Sequence, residues 1–267
     1  MRREPAVAGS FYSISPSALT EEVRGYIQED IDKKEAIAAI SPHAGFIYSG
    51  RVAGAVYSRI KLPELIILVG PNHTGRGHDV SVFSQAIWQM PNGQISIDEE
   101  FCSFLIERSE FAEIDTGAHI YEHSLEVQLP FIQYFNQNFK IVPIIMRNNE
   151  IDVCHDLGEA IAGIVSESKK TALIIASSDM THYEPDSDVR EKDELAIDKM
   201  LQLDPEGLHN LIREKGISMC GYAPAAAVLF AALKLQAKET ELVMYMTSGE
   251  INKDFDRVVG YAGIIIS

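Results

Sequence analysis

Cysteine is scarce in this sequence, and the arrangement of the few that occur excludes two kinds of stabilising chemistry. Cys102, Cys154 and Cys220 are odd in number and far apart, so they form neither a disulfide framework nor a paired-cysteine zinc motif. Disulfide-rich proteins belong to oxidising compartments. We therefore expect this protein in the reducing cytoplasm.

Long hydrophobic runs are also missing. A membrane-spanning helix needs roughly 20 consecutive apolar residues, and no stretch of the chain approaches that length. The longest, at 222–233, is rich in alanine and predicts a buried helix. No apolar segment follows Met1 to Pro5, so the sequence predicts no signal peptide and no membrane partner.

Basic residues are few relative to acidic ones. The 267 residues include 23 Lys and Arg against 39 Asp and Glu, which gives a net charge of −16. A surface this acidic repels the phosphates of nucleic acids and of anionic lipids. We therefore expect no nucleic-acid partner, while a small anionic ligand in a local pocket stays compatible with the charge.

Two familiar catalytic motifs are absent as well. The Gly-x-Ser-x-Gly turn of serine hydrolases does not occur, which disfavours that class of enzyme. Gly70 and Gly75 have the spacing of a phosphate-binding loop, but Arg76 and Gly77 stand where Lys and Ser or Thr are required. The sequence therefore excludes a nucleotide-binding site of that type.

What the sequence does contain is a regular alternation of apolar runs and amphipathic segments. The apolar runs are dense in Ile, Val and Leu, as is typical of strands that are buried on both faces. Strands are predicted at 36–41, 64–69, 140–146, 171–176, 242–247 and 258–266. Helices are predicted at 17–34, 51–60, 98–109, 151–168, 188–203 and 224–236. No linker interrupts the alternation, so we expect a single α/β domain over residues 1–267, with a mostly parallel central sheet flanked by helices.

The segment at 75–96 breaks this alternation. Polar and apolar residues alternate only loosely at 80–83, and Asn92-Gly93 is a common hairpin turn. We interpret this segment as a strand pair, or as a lid near the loop that carries His73.

Three of the apolar runs lead directly into a segment that bears a histidine. His43, His73 and His182 each follow one of the predicted strands within a few residues. In an open α/β sheet, the loops at the carboxyl ends of parallel strands converge on one rim. We therefore expect the three imidazoles to lie close together, in an arrangement that suits a metal site or an acid–base site. For any one of them alone, a hydrogen bond to a neighbouring carbonyl is an equally good explanation.

An acidic residue accompanies the last of these histidines. Asp179 and His182 are three residues apart, so one helical turn would place both on the same side. A carboxylate beside an imidazole fixes its tautomer or raises its pKa, as a general base requires. We predict such a pair; the alternative is a helix start, with Ser178 or Asp179 capping and His182 exposed.

Cys220 precedes the alanine-rich helix predicted at 224–236. A thiol near a helix N-terminus has a lowered pKa, which favours the thiolate that binds metals or attacks electrophiles. We predict this role for Cys220, against the alternative of a buried and inert cysteine. Cys102 and Cys154 lie in predicted helices and are expected to be inert.

His123 stands at the start of an apolar-periodic segment. From there its imidazole would reach a pocket from outside the sheet, or would cap a helix. No function is predicted for the remaining histidines: His78, His119, His155 and His209. The last two are expected to be exposed on helices.

Several of these residues fall in segments that are spread from one end of the chain to the other. The segments are PAVAGSFY at 5–12, PHAGFIYSG at 42–50, GPNH at 70–73, EHSLE at 122–126, SSDMTHY at 177–183 and CG at 220–221. Together they resemble the Memo family, whose members are similar in fold to the class III extradiol dioxygenases. The resemblance covers the whole chain and implies a single α/β domain of that dioxygenase-like fold.

The resemblance also implies a metal site, formed by His43, His73 and Cys220. Iron is the favoured metal, and copper or zinc would also suit a site with a thiolate ligand. The dioxygenases have a carboxylate where Cys220 stands. Because of that difference, extradiol ring cleavage does not follow from the fold alone.

Three further residues are implied to line the same pocket. His182 resembles the histidine that acts as acid and base in the dioxygenases, and His123 resembles their other pocket histidine. Asp179 would lie beside them.

Three functions are compatible with these residues. The first is a metal-dependent, dioxygenase-like redox protein that acts on an unknown small-molecule substrate, with His182 and Asp179 moving protons. The second is a binding module that uses the same pocket to hold a peptide or protein partner without chemistry, since some family members have been discussed as binders of phosphotyrosine peptides. The third is a hydrolase with Cys220 as nucleophile and His182 as base.

Overall fold

Within residues 2–168 and 170–267, which the computed structural model describes, twelve β-strands and nine α-helices follow one another along the chain. The strands are β1 (Arg2–Arg3), β2 (Ala38–Ser41), β3 (Leu65–Pro71), β4 (Val80–Val82), β5 (Ile87–Met90), β6 (Gly93–Ile97), β7 (Ala112–Ile114), β8 (Lys140–Met146), β9 (Ala172–Ser177), β10 (His182–Glu184), β11 (Thr240–Thr247) and β12 (Val258–Ile266). The helices are α1 (Pro16–Arg24), α2 (Phe46–Arg59), α3 (Glu99–Arg108), α4 (Leu129–Phe135), α5 (Ile151–Glu167), α6 (Asp186–Leu201), α7 (Pro205–Lys215), α8 (Tyr222–Lys234) and α9 (Gly249–Asn252).

The strands form one mixed sheet with a parallel centre. Its order is β1-β5-β6-β8-β3-β9-β2-β12-β10, with β11 paired to β12, β4 to β8 and β7 to β4. The neighbours β8, β3, β9 and β2 are parallel to one another, whereas β12 is antiparallel to both β2 and β11. The predicted single-domain α/β fold, with a mostly parallel central sheet flanked by helices, is confirmed.

The centre of the sheet is buried on both faces. Every residue of β2, β3 and β9 is buried, which explains why their sequences do not alternate between polar and apolar residues. Helix α2 packs on β2, β11 and β12, while α8 packs on β2, β3 and β9. This packing fixes the strand ends, and with them the loops that follow.

The apolar segment at 222–233 falls within α8, and its burial confirms the prediction of a buried helix. Alanine dominates the helix, so its backbone lies close to the elements that it contacts. Gly158 of α5 adds to this close packing, because a Cβ at that position would collide with Phe230 and Ala227. Among the residues described, no helix combines the length and apolar composition that crossing a bilayer requires.

All the predicted strands and helices are present in the structure, but some differ in their ends; α2, for example, begins at Phe46 and not at residue 51. All six predicted strands are confirmed to within two residues at either end. The first helix was predicted too long, because α1 ends at Arg24 and Gly25 caps it. Helix α7 is missing from the prediction, although Asp204 caps its start through Gly207 N and Gly216 ends it in a left-handed conformation.

The segment at 75–96 contains β4 and the hairpin of β5 and β6. The predicted strand pair is confirmed, because β5 and β6 are antiparallel neighbours. The alternative of a lid is wrong. Strand β6 pairs with the first residues of β8, whereas His73 follows the end of β3 that pairs with the last residues of β8. The hairpin therefore extends the sheet away from the His73 loop.

Candidate functional site

A cavity of about 640 Å³ lies at the carboxyl ends of β2, β3 and β9. His43, His73, His123, Asp179 and His182 all line it. The three strands are neighbours in the sheet, so the loops that follow them start side by side. The predicted convergence of the strand-end histidines on one rim is confirmed.

Three imidazoles form a compact cluster in this cavity. The ring centroids of His43 and His73 are 5.2 Å apart, and those of His73 and His123, which stack, are 4.7 Å apart. One ring nitrogen from each of the three lies within 4.8 Å of the others, which is close enough to share a metal ion. His123 comes from the segment before α4 and not from a strand end, so it enters the cluster from outside the sheet, as predicted.

The hydrogen bonds around His43 determine which of its nitrogens is free. Its Nδ1 lies 2.8 Å from the hydroxyl of Ser177, and that hydroxyl donates its own proton to the carbonyl of Ser124 at 2.7 Å. Nδ1 must therefore donate to Ser177, which leaves the lone pair on Nε2. Burial, followed by the neighbouring His123 and His73, lowers the pKa of His43 well below its ordinary value. The imidazole is neutral, the form in which histidine binds metals.

Glu122 holds the second imidazole. Its Oε1 lies 2.8 Å from Nδ1 of His73, and its Oε2 accepts a hydrogen bond from the His73 backbone at 2.6 Å. Burial would raise the pKa of Glu122, but the hydrogen bonds from His73 and from the Ser124 backbone outweigh it and lower the pKa to about 2. The pKa of His73 rises in return, because the interaction with Glu122 outweighs the effect of burial. An ionised carboxylate on Nδ1 leaves Nε2 of His73 directed at the cluster.

Cys220 contacts the cluster through His43. Its Sγ lies 3.3 Å from Nε2 of His43 and accepts the Asp179 backbone N–H at 3.3 Å. The prediction of a lowered thiol pKa is wrong: burial, and then the charge of Asp179, raise the pKa of Cys220. The sulfur precedes α8, but loss of hydration outweighs the hydrogen bonds with the Asp179 backbone and with Ser178, which lower the pKa. In the protein without metal, Cys220 is therefore a poor nucleophile, which disfavours the hydrolase hypothesis.

Asp179 and His182 share the cavity but do not form the expected pair. The chain between them makes no helical turn, because His182 begins β10. Asp179 Oδ1 accepts the backbone N–H groups of His43 at 2.7 Å and of Ala44 at 3.3 Å, so it fixes the His43 loop. Burial raises the pKa of Asp179. His182 is instead oriented by Ser218, whose carbonyl lies 3.0 Å from Nδ1, so that Nε2 is left to accept a proton.

A second buried network supports the cluster and escaped sequence-based reasoning. The guanidinium of Arg3 forms a fully buried ion pair with Glu126 at 2.7 Å, and Glu126 also accepts the hydroxyl of Tyr12. These bonds tie the first residues of the chain to the segment that carries Glu122. Phe11 of the same N-terminal stretch packs edge-on against the ring of His123, with the ring centroids 4.9 Å apart. Glu122 and Glu126 both lie in the EHSLE segment, but no spacing rule connects them with Arg3.

The histidines without a predicted role lie away from the cluster. His155 is exposed on α5, as expected. The expectation for His209 is wrong: it is buried, with Nε2 2.9 Å from the carbonyl of Asn149. His119 is also buried, with Nε2 3.0 Å from the carbonyl of Ser81.

Comparison with known proteins places relatives of this chain among the archaea. A family model described as Memo-like protein matches residues 3–265. A MEMO1 family protein of Methanosarcina acetivorans is 43% identical over 266 residues, covering 99% of this chain and 98% of the relative. A MEMO1 family protein of Sulfolobus acidocaldarius is 41% identical over 281 residues, covering 99% of each. Among solved structures, an uncharacterised protein of Escherichia coli K12 is 13% identical with a TM-score of 0.53, covering 85% of this chain and 98% of that one, and it shares the fold.

Proposed function

This chain belongs to the Memo family, and from that premise we propose that it is a metal-dependent redox protein acting on a small-molecule substrate. One observation carries the proposal. Three imidazoles have ring nitrogens within 4.8 Å of one another, and two of the three have Nδ1 engaged by hydrogen-bond partners. Such outer hydrogen bonds are the usual means by which proteins aim histidines at a metal.

The proposed ligands are His43, His73 and Cys220, with His123 as a further donor within reach. A tetrahedral ion holds nitrogen at about 2.0–2.1 Å and sulfur at about 2.3 Å, which places the two ligand atoms roughly 3.5–3.6 Å apart. Nε2 of His43 and Sγ of Cys220 are 3.3 Å apart. Among the described residues, however, the three ligand atoms that lie within 4.8 Å of one another belong to His43, His73 and His123 and not to Cys220. The three imidazoles therefore fit a metal as they stand, whereas Cys220 would have to move towards the ion and lose its proton to become a ligand.

Iron is the metal proposed first, on the strength of the family resemblance; a donor set of imidazole and thiolate also suits copper and zinc. Bound iron would supply the electron transfer that couples oxygen to an organic substrate. The protein's own residues would do the rest. His182 would accept a proton at Nε2 from a substrate in the cavity, and Asp179 would hold the His43 loop in place.

Metal content decides this proposal. We would purify the protein without oxygen or chelators and measure metals by elemental analysis, comparing wild type with His43→Ala, His73→Ala and Cys220→Ser. His78→Ala is the matched control, because His78 lies outside the cluster. We expect near-stoichiometric metal in wild type and control and its loss in the three variants of the proposed ligands. Full metal affinity in a His43→Ala, Cys220→Ala double variant would contradict the proposal. Retention of metal in Cys220→Ser with loss in His123→Ala would replace Cys220 by His123 as the third ligand.

The mouth of the cavity favours a second function, a non-catalytic binding module for a peptide or protein partner. Ile47 and Tyr183 line the mouth and are exposed, and the guanidinium of Arg257 lies 5.8 Å from the Tyr183 ring. Aromatic and arginine side chains often anchor partners at interfaces. We would titrate a phosphotyrosine peptide into metal-loaded and chelator-treated protein by calorimetry. Equal affinity in both, without turnover, would support this function, and the absence of binding would exclude it for this class of peptide.

A further inference from the structure

One tyrosine hydroxyl in the wall of the cavity has no partner. Tyr261 lies on β12, is only 2% exposed and lines the same cavity as the histidines. Within residues 2–168 and 170–267, no side chain or backbone group hydrogen-bonds its hydroxyl. The hydroxyl is not one of the fully buried atoms that lack a partner, so it reaches the open space of the cavity and can donate to a molecule bound there.

Tyrosines whose hydroxyls end inside the core have partners within the protein. Tyr12 donates to Glu126, Tyr57 donates to Gln128 at 2.8 Å, and each of them lies within the core. Tyr261 differs from them in that its ring ends at the cavity. The partner of its hydroxyl is therefore to be sought in what the cavity binds.

Asp179, on the same wall, has an unused oxygen as well. Its Oδ1 accepts two backbone N–H groups, while Oδ2 has no partner in the described part of the chain. Both side chains line the cavity, and burial, followed by the charge of Asp179, raises the pKa of Tyr261. The phenol therefore stays protonated and is available as a donor, and Asp179 offers a second polar atom in the same cavity.

The rest of the lining limits the shape of the molecule that would fit. Phe11, Tyr48 and Tyr183 contribute aromatic rings to the cavity, and the histidine cluster contributes three more flat groups. With a volume of about 640 Å³, the cavity has the size of a typical small-molecule site. Flat walls of this kind suit a flat ligand.

We propose that Tyr261 contacts the substrate, donating a hydrogen bond from its hydroxyl to an oxygen atom of a flat, oxygenated small molecule bound between the histidine cluster and β12. This inference deepens the proposed function and rests on it, because the molecule described is the one presented to the metal. The unused oxygen of Asp179 provides a second polar contact for the same ligand. Tyr261 thereby becomes a residue that selects substrates by their oxygen substituent.

A paired comparison of probes and variants tests the inference. Phenol and fluorobenzene have similar sizes, but fluorine is a very weak hydrogen-bond acceptor. We would measure the affinity of both probes by ligand-observed nuclear magnetic resonance, for wild type, Tyr261→Phe and Tyr134→Phe. Tyr134 lies on α4 outside the cavity and serves as the matched control.

We expect Tyr261→Phe to weaken phenol about 2- to 12-fold, the range of one ordinary hydrogen bond, and to leave fluorobenzene unchanged. Tyr134→Phe should change neither. Equal weakening of both probes, unchanged phenol binding in Tyr261→Phe, or no phenol binding to wild type would each overturn the inference. A crystal of wild type soaked with phenol gives an independent measurement, in which the oxygen should lie within hydrogen-bond distance of the Tyr261 hydroxyl.

The test of Tyr261 can succeed or fail independently of the proposed redox function. The same titrations are run on chelator-treated protein, where no metal takes part. A wild type that binds no metal but shows the Tyr261 effect would remove the redox function and keep the contact. Normal metal content in wild type and Tyr261→Phe, together with equal phenol affinity in the two proteins, would remove the Tyr261 contact and keep the redox function.

Discussion

Glu122 and Glu126 are four residues apart and both are buried, yet their carboxylates serve different purposes. Glu126 accepts hydrogen bonds from Arg3, from Tyr12 and from two backbone amides, none of which lines the cavity. Glu122 also accepts backbone amides, but its remaining partner is the imidazole of His73, whose other nitrogen faces the cavity. A buried carboxylate thus stabilises the fold when all of its partners are structural groups. It also influences a site when one of its partners is a side chain, such as His73, that faces the cavity.

Removing the charge at Glu126 should have the largest effect. Glu126→Gln leaves the guanidinium of Arg3 buried without a counter-charge, so we expect a loss of about 3–5 kcal/mol in the free energy of unfolding, measured by urea denaturation. Glu21→Gln, which breaks an exposed pair with Arg24, is the control and should cost less than about 1 kcal/mol. Equal losses in the two variants would show that Glu126 is not a structural anchor.

At Glu122 the same change should act on metal binding more than on folding. Glu122→Gln removes the charge that fixes His73, and loss of such an outer partner typically lowers metal affinity about 10- to 100-fold. Competition with a chromophoric chelator measures this affinity. If Glu126→Gln lowers metal affinity as much as Glu122→Gln does while remaining folded, the contrast between the two carboxylates is wrong.

Acid should reveal the part of stability that depends on Glu122 in metal-free protein. Its pKa is lowered from 4.5 to about 2, because the hydrogen bonds from His73 and Ser124 outweigh burial. A carboxyl with a lowered pKa stabilises the fold above its unfolded value, and this contribution disappears as the pH falls through the folded value. From pH 5 to pH 3, wild type should lose on the order of 2 kcal/mol more than the double variant His73→Gln, Glu122→Gln, which lacks both titrating partners. Parallel loss in both proteins would mean that Glu122 does not carry this pH dependence.

Loss of the uncharged partner of His43 should have the smallest effect on metal affinity. Ser177 fixes Nδ1 of His43 through an uncharged hydroxyl, so Ser177→Ala removes one ordinary hydrogen bond to that imidazole. We expect metal affinity to fall about 10-fold or less, which is a smaller effect than in Glu122→Gln. An effect larger than that of Glu122→Gln would show that the tautomer of His43 matters more than the charge on His73.

Most of the fold and the core of the site could be predicted from the sequence, because both depend on local patterns. Apolar runs of strand length predicted the sheet, and the convergence of parallel strand ends brought His43, His73 and His182 to one cavity. These rules need no knowledge of which distant residues touch.

What could not be predicted depends on contacts between distant parts of the chain. The turn expected after Asp179 does not form, because the backbone at Met180 and Thr181 pairs instead with Gly260 of β12. Loss of hydration, which sets the pKa of Cys220, is likewise a property of the packed molecule. The partnership of Arg3 with Glu126 joins positions 123 residues apart, and no periodicity encodes it.

The chain of hydrogen bonds behind His43 has a spectroscopic consequence. The Nδ1 proton of His43 points to Ser177, whose hydroxyl accepts Gln128 Nε2 at 2.9 Å, and Gln128 in turn accepts the hydroxyl of Tyr57 in the core. That proton can exchange with solvent only when the packed interior opens. The exchange should therefore be slow, and the proton should give a resolved resonance of its own. The imidazole thus carries a built-in reporter: arrival of an ion at Nε2 would shift this resonance, and the occupancy of the site could be followed without any added label.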